Sequence, residues 1–155
     1  RAYLKLWEAL TLLGDCPRPG QRCIDMGSSP GGWTWVLAQL GANVVSVDKA
    51  PLDDRVRARA TVEYRQVSAF ALPPEPIDWF FSDVICYPRR LLAMVERWLS
   101  TGARFVCTIK LQGLSEPDVL ARFAALPDAR IRHLFHNRHE LTLFIHPSVD
   151  AAPGL

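Results

Sequence analysis

Lysine is scarce in this sequence: of 18 lysine and arginine residues, only Lys5, Lys49 and Lys110 are lysines. Positions that need only solvated positive charge use arginine, so each lysine raises the question of what arginine cannot do there. One answer is to give up a proton. Cysteine is sparse as well. Cys16, Cys23, Cys86 and Cys107 show no C-x-x-C spacing, and Cys107 lies in an apolar run where a thiol behaves as a small hydrophobe. Neither a disulfide nor a bound metal is expected. No apolar run approaches the roughly 18 residues of a bilayer span, and the first residues lack a signal-peptide pattern, so a cytoplasmic protein with no membrane partner is expected. The formal net charge is only +2, a total that does not by itself announce a nucleic-acid partner. Repeats and low-complexity stretches are absent, and so is the G-x-G-x-x-G loop of dinucleotide-binding folds.

What is present is enough apolar residue, 49% of 155, for one substantial core. One domain is expected over residues 1–146, with 147–155 as a loose tail. The chain opens at Arg1 directly into a helical pattern, so it reads as a piece of something longer with further domains outside it. Tyr3, Leu6, Trp7, Leu10 and Leu13 recur at helical spacing, which puts Lys5 off the apolar face. Strands are expected at 22–26, 43–47, 62–67, 77–82, 104–109, 131–135 and 140–145, and further helices at 33–40, 89–99 and 119–126. Alternating strands and helices with nearly continuous apolar strands predict an α/β fold: a mostly parallel seven-stranded sheet with helices on both faces. The last two strands, joined by His136-Asn137-Arg138-His139, are too close for a crossover, which leaves the final strand as the one antiparallel member.

Ligands of open α/β sheets bind beyond the carboxyl ends of the strands. Gly27, Asp48, Asp83 and Lys110 each follow such an end, and Glu140 opens the strand that runs backwards, so all five converge on one edge. Gly27, Gly31 and Gly32 in D-M-G-S-S-P-G-G-W let backbone approach a ligand, and the helix beyond offers free N–H groups. Asp48, about 20 residues on, is placed to accept hydrogen bonds from both ribose hydroxyls of an adenosine-containing ligand.

That loop resembles the D-L-G-x-x-P-G-G-W loop of the FtsJ/RrmJ-like ribose 2′-O-methyltransferases. The resemblance implies a Rossmann-like class I fold and S-adenosyl-L-methionine as cofactor, held by Gly27, Ser28, Ser29, Pro30, Gly31, Gly32, Trp33, Asp48, Lys49, Ser68, Ala69 and Asp83. The family's Lys-Asp-Lys-Glu tetrad falls on Lys5 (R-A-Y-L-K-L), Asp83 (F-S-D-V), Lys110 (T-I-K-L) and Glu140 (R-H-E-L-T). Within the family, V-S-V-D-K-A-P-L, D-V-I-C-Y-P and L-F-H-N-R-H-E-L-T-L are most similar to the RlmM-type enzymes of large-subunit ribosomal RNA, which makes RNA the implied partner. Two departures stand out: Ser68 sits where the family often has an acidic residue near the adenine, leaving that contact to the Ala69 backbone, and the N-terminal RNA-binding region of the RlmM type is not in this chain.

In-line methyl transfer to a ribose hydroxyl needs alignment and removal of a proton. Lys110, at the end of a buried strand, is the candidate base, provided that desolvation or a neighbouring cation such as Lys5 lowers its ordinary pKa of about 10.4. Asp83 and Glu140 then orient the lysines and the hydroxyl. The plain alternatives are a helix pair of Lys5 with Glu8, a surface pair of Glu140 with Arg138, a solvated Lys110 and Trp33 packed under the loop. Arg89, Arg90, His136, Arg138 and His139 are candidates for RNA phosphates, and Tyr87 for cofactor or base. A non-catalytic cofactor- or RNA-binding module, or a methyltransferase of another RNA such as tRNA or an mRNA cap, stand as alternatives.

Overall fold

A computed structural model describes residues 2–111 and 117–147. The tail expected from Pro147 onward therefore lies, Pro147 apart, outside the described residues. The elements are helix α1 (Ala2–Leu13), strand β1 (Arg22–Met26), α2 (Gly32–Gln39), β2 (Asn43–Val47), a short α3 (Asp54–Arg57), β3 (Val62–Arg65), β4 (Trp79–Ser82), α4 (Pro88–Trp98), β5 (Arg104–Lys110), α5 (Pro117–Ala124), β6 (Ala129–Arg132) and β7 (Glu140–Ile145). They form the expected seven-stranded sheet, in the order β3-β2-β1-β4-β5-β7-β6. β7 runs antiparallel to both of its neighbours, and the other recorded pairs are parallel.

Strand alternation divides the core in two. Ile24, Met26, Val45, Val47, Phe80 and Phe105 face one way, where Leu91, Val95 and Trp98 of α4 and Val119 and Phe123 of α5 cover them. Cys23, Val44, Phe81, Val106 and Phe144 face the other way, under Leu6, Leu10 and Leu13 of α1 and Trp33, Val36 and Leu37 of α2. The inner strands β1, β2, β4 and β5 are thus buried on both sides and are largely apolar, whereas β3 and β6 at the sheet edges are only partly buried. The second layer also encloses a polar trio: the Thr34 hydroxyl donates to Asp25 Oδ2 at 2.7 Å and lies 2.8 Å from the Ser46 hydroxyl. Asp25 is fully buried, and burial pushes its carboxyl up to about 7 against the partial relief of Thr34.

From β1 the chain builds outward through β2 to β3, then returns to lay β4 on the other flank of β1. The crevice where the strand order reverses, at the carboxyl ends of β1 and β4, is where such sheets take ligands.

Four expectations need correction. α1 buries Lys5, Leu6, Ala9, Leu10 and Leu13, whereas Tyr3 and Trp7 are exposed; the buried stripe is rotated so that Lys5 lies on it. β6 ends at Arg132, because Leu134 turns into the core beneath α1 and its N–H is taken by Asn137 Oδ1 at 2.8 Å, so residues 133–139 form a loop longer than the expected four-residue link His136-Asn137-Arg138-His139. β3 ends at Arg65 and β4 begins at Trp79, both shorter than their expected spans of 62–67 and 77–82. α3 was not expected; Asp53 starts it by accepting from Arg55 N, an N-cap signal visible in D-D-R-V.

Candidate active site

Gly27 stands where β1 meets the β4 exit. Its φ is +75°, and a Cβ there would lie 2.8 Å from Val84 Cβ, so only glycine lets the two strand ends close together. The Gly27 and Ser28 N–H groups both donate to Val47 O, at 2.9 and 3.1 Å, fastening the loop to the end of β2. Asp48 completes the tie: Oδ2 accepts from Ser29 N at 2.8 Å and Oδ1 from Ala50 N at 2.9 Å. Each carboxylate oxygen keeps a further lone pair for a ligand. Ser68 caps the turn that carries Ala69 and Phe70, accepting from Phe70 N at 3.2 Å.

These pieces border a cavity of about 440 Å³ that includes Gly27, Ser29, Asp48, Lys49, Ser68 and Ala69, with Asp83, Val84 and Lys110 at its far side. Among the expected cofactor residues, Pro30, Gly31 and Gly32 border a separate hollow on the outer side of the loop instead. Ser28 is buried, with no hydrogen-bond partner for its hydroxyl. Trp33 is buried too; its indole N–H donates to Ala2 O at 2.8 Å, so it anchors the start of α1. Phe70 was not anticipated. The Arg90 guanidinium lies 3.7 Å from the centre of its ring, and both border the cavity.

Beyond the cavity the tetrad is assembled. Lys5 Nζ lies 3.0 Å from Asp83 Oδ1 and 2.9 Å from Glu140 Oε1; Lys110 Nζ lies 2.8 Å from Asp83 Oδ1 and 2.6 Å from Glu140 Oε2. Two ammonium groups and two carboxylates thus close a ring. Four elements supply it: α1, the exit of β4, the end of β5 and the start of β7. Lys110 and Glu140 face each other in the β5–β7 register, so the antiparallel reversal of β7 is what brings them together. The alternatives for single residues do not hold here: Glu8 turns to His136 and Glu140 to the two lysines.

One expectation about Lys110 is overturned. Burial pulls its pKa down, but Asp83 and Glu140 outweigh burial and hold it above the ordinary lysine value. Burial likewise opposes ionisation of Glu140, and Lys110 and Lys5 outweigh it, holding its carboxyl below the usual range. Lys5 belongs to the same ring, so its repulsion of Lys110 is more than matched by the two carboxylates beside it.

A second hollow, of about 400 Å³, opens on the other side of the ring and is bordered by Ala2, Lys5, Lys110, His136, Arg138, His139 and Glu140. Lys110 borders both spaces. Lys110 therefore lies between a group held in one and a group held in the other. Among the described residues there is no cluster suited to a metal ion and no helix long and apolar enough to cross a membrane.

A family model described as FtsJ-like methyltransferase matches residues 1–86. The chain belongs to the FtsJ-like methyltransferase family. The matched stretch carries Lys5, the glycine loop, Asp48 and Asp83, while Lys110 and Glu140 lie beyond it. The chain is also 35% identical to the ribosomal RNA large subunit methyltransferase M of Azoarcus sp. (strain BH72), over 94% of this chain and 45% of that protein. It spans about half the length of the curated relatives it matches. Among solved structures, a protein named as a hemolysin from Lactococcus lactis aligns with TM-score 0.74 at 20% identity, covering 95% of this chain and 88% of that one. A protein named as a ribosomal RNA methyltransferase from Plasmodium falciparum aligns with TM-score 0.68 at 15% identity, covering 94% and 95%. At such identities these two likenesses concern the fold, the Rossmann-like fold of this methyltransferase family.

Proposed function

We propose that residues 1–146 are the catalytic domain of an RNA ribose 2′-O-methyltransferase that uses S-adenosyl-L-methionine and acts on ribosomal RNA in the cytoplasm, with a further RNA-binding region belonging to the same protein. The observation that carries this is the closed Lys5–Asp83–Lys110–Glu140 ring set between two cavities, with Lys110 on the border of both.

The first cavity suits the cofactor. Gly27 leaves room that a Cβ would fill, Asp48 is oriented to take ribose hydroxyls, Ala69 offers backbone beside Ser68, and Asp83 presents a carboxylate suited to an amino group. When bound, the cofactor supplies an electrophilic methyl group on a sulfonium. The second hollow, bordered by His136, Arg138 and His139 beside the ring, receives the acceptor nucleotide. Lys110, as the neutral amine, would take the proton of a 2′-hydroxyl held there, and Asp83, Glu140 and Lys5 fix the amine at that spot. At neutral pH the free protein keeps Lys110 protonated, and the neutral amine costs about 5 kcal/mol for a lysine of even ordinary pKa. Positive charge brought into the first cavity, and water driven from the second, both act against that proton.

The test is transfer of labelled methyl from the cofactor into unmodified RNA, with mapping of the alkali-resistant linkage that a 2′-O-methyl group creates. Lys110→Arg keeps positive charge but not a removable proton, so it should retain S-adenosylhomocysteine binding and lose at least about a hundredfold in turnover. Turnover near that of the parent removes Lys110 from the chemistry. Cofactor binding without transfer to any RNA favours a non-catalytic module instead.

A further inference from the structure

Residues 133–139 between β6 and β7 turn one apolar side chain in and the next one out. Leu134 is buried under α1, whereas Phe135 is 88% exposed. This is not a loose loop. Glu8 of α1 accepts from Phe135 N at 2.7 Å and from His136 N at 2.9 Å, and its Oε1 lies 2.7 Å from His136 Nδ1. Those contacts outweigh the burial that opposes ionisation and hold the Glu8 carboxyl below its usual range. Asn137 closes the turn with Leu134 and takes the Thr142 hydroxyl at 3.2 Å, and the His139 carbonyl accepts from Leu111 N at 2.8 Å. The Phe135 ring meets the His136 ring edge-on at 5.2 Å.

Glu8 therefore does work that a surface carboxylate does not: it fixes the backbone that presents an exposed aromatic face. Through the His136 ring, that face reaches the hollow bordered by His136, Arg138 and His139 together with Lys5, Lys110 and Glu140. A flat apolar ring with the Arg138 guanidinium nearby suits a partner that is itself flat and anionic. Unpaired bases stack on such rings while basic side chains meet their phosphates.

Resting on the methyl-transfer function above, we propose that this loop is the docking platform for an unpaired nucleotide of the RNA substrate, with Phe135 stacking a base next to the methylated ribose and Glu8 as the positioning residue that keeps the loop rigid. The platform selects single-stranded over duplex RNA, because a base inside a helix has no free face for Phe135.

The test uses the protein with a fluorescently labelled, unstructured single-stranded RNA oligonucleotide and, in parallel, the same sequence as a duplex. Phe135→Ala weakens single-strand binding roughly ten- to a hundredfold, the worth of one base–aromatic stack, and Phe135→Trp restores it. Duplex affinity and S-adenosylhomocysteine affinity do not change. Glu8→Gln raises KM for RNA while kcat holds, a split that general loss of structure does not produce. Arg138→Ala reduces the slope of log affinity against log salt by about one. Single-strand affinity unchanged in Phe135→Ala, with the parent still methylating RNA, overturns the platform and leaves the methyltransferase standing. A change in sedimentation with unchanged RNA affinity makes Phe135 a protein contact and also overturns it. A parent protein that binds cofactor but neither binds nor methylates RNA overturns both.

Discussion

Replacing Glu140 by glutamine asks what keeps the proton on Lys110. In the ring, the two carboxylates balance the two ammonium groups; Glu140→Gln preserves size and one oxygen but leaves net positive charge around Lys110. At the 2.6 Å separation of Lys110 and Glu140, the attraction of unit charges is about 1.6 kcal/mol even with the screening of bulk water, and larger at lower effective dielectric. The two side chains are 15% and 17% exposed, so the bulk-water figure is a floor and the dry-interior figure does not apply. Losing that attraction makes proton release from Lys110 at least about tenfold easier, and the sign is fixed, because a cation that loses an anionic partner deprotonates at lower pH. With only three lysines in the chain, lysine-selective isotope labelling gives three side-chain signals to follow by NMR through a pH titration. The Lys110 midpoint should move down in Glu140→Gln. An unmoved or raised Lys110 midpoint refutes the claim that Glu140 holds its proton. In single-turnover methyl transfer, the rising limb of the pH profile should follow the same displacement.

Three further outcomes follow from the site and its supports. Asp25, with its carboxyl pushed up to about 7 by burial, keeps a proton in the folded state that the unfolded chain has already lost, so its contribution to stability falls as pH rises from about 4 to about 7. Asp25→Asn should gain in Tm relative to the parent as pH rises across that window, by thermal melts; a Tm difference that is the same at pH 5 and pH 8 refutes this. Gly27→Ala places a Cβ 2.8 Å from Val84 Cβ at a φ of +75°, costing about 1–3 kcal/mol and parting the β1 and β4 exits. Calorimetry with S-adenosylhomocysteine should show lost affinity, and undiminished binding rules out the close approach as a requirement. Trp33→Phe removes the indole bond to Ala2 O but keeps most of the apolar volume, so it should cost about 1 kcal/mol of stability in denaturant unfolding.

The sequence alone determined the order and type of the main elements, since apolar runs bounded by Gly and Pro report burial on both faces wherever the sheet is covered. β1, β2 and β7 match their expected spans residue for residue, and the glycine loop, Asp48, Asp83 and Lys110 are legible as strand-end residues because each follows a buried strand directly. The spacing in α1 misled, because Tyr3 and Trp7 are apolar by type yet lie at the surface. Which stripe of a helix is buried depends on what it meets, and α1 meets the two carboxylates that draw Lys5 inward. Only the tertiary structure decided the charge state of Lys110, because that rests on the distances from Asp83 and Glu140, 27 and 30 residues away in sequence. The exposed Phe135 was hidden for the same reason. Its neighbours Leu134 and Ile131 give it the look of a strand residue, whereas its backbone N–H donates to Glu8, 127 residues away, and its ring is exposed.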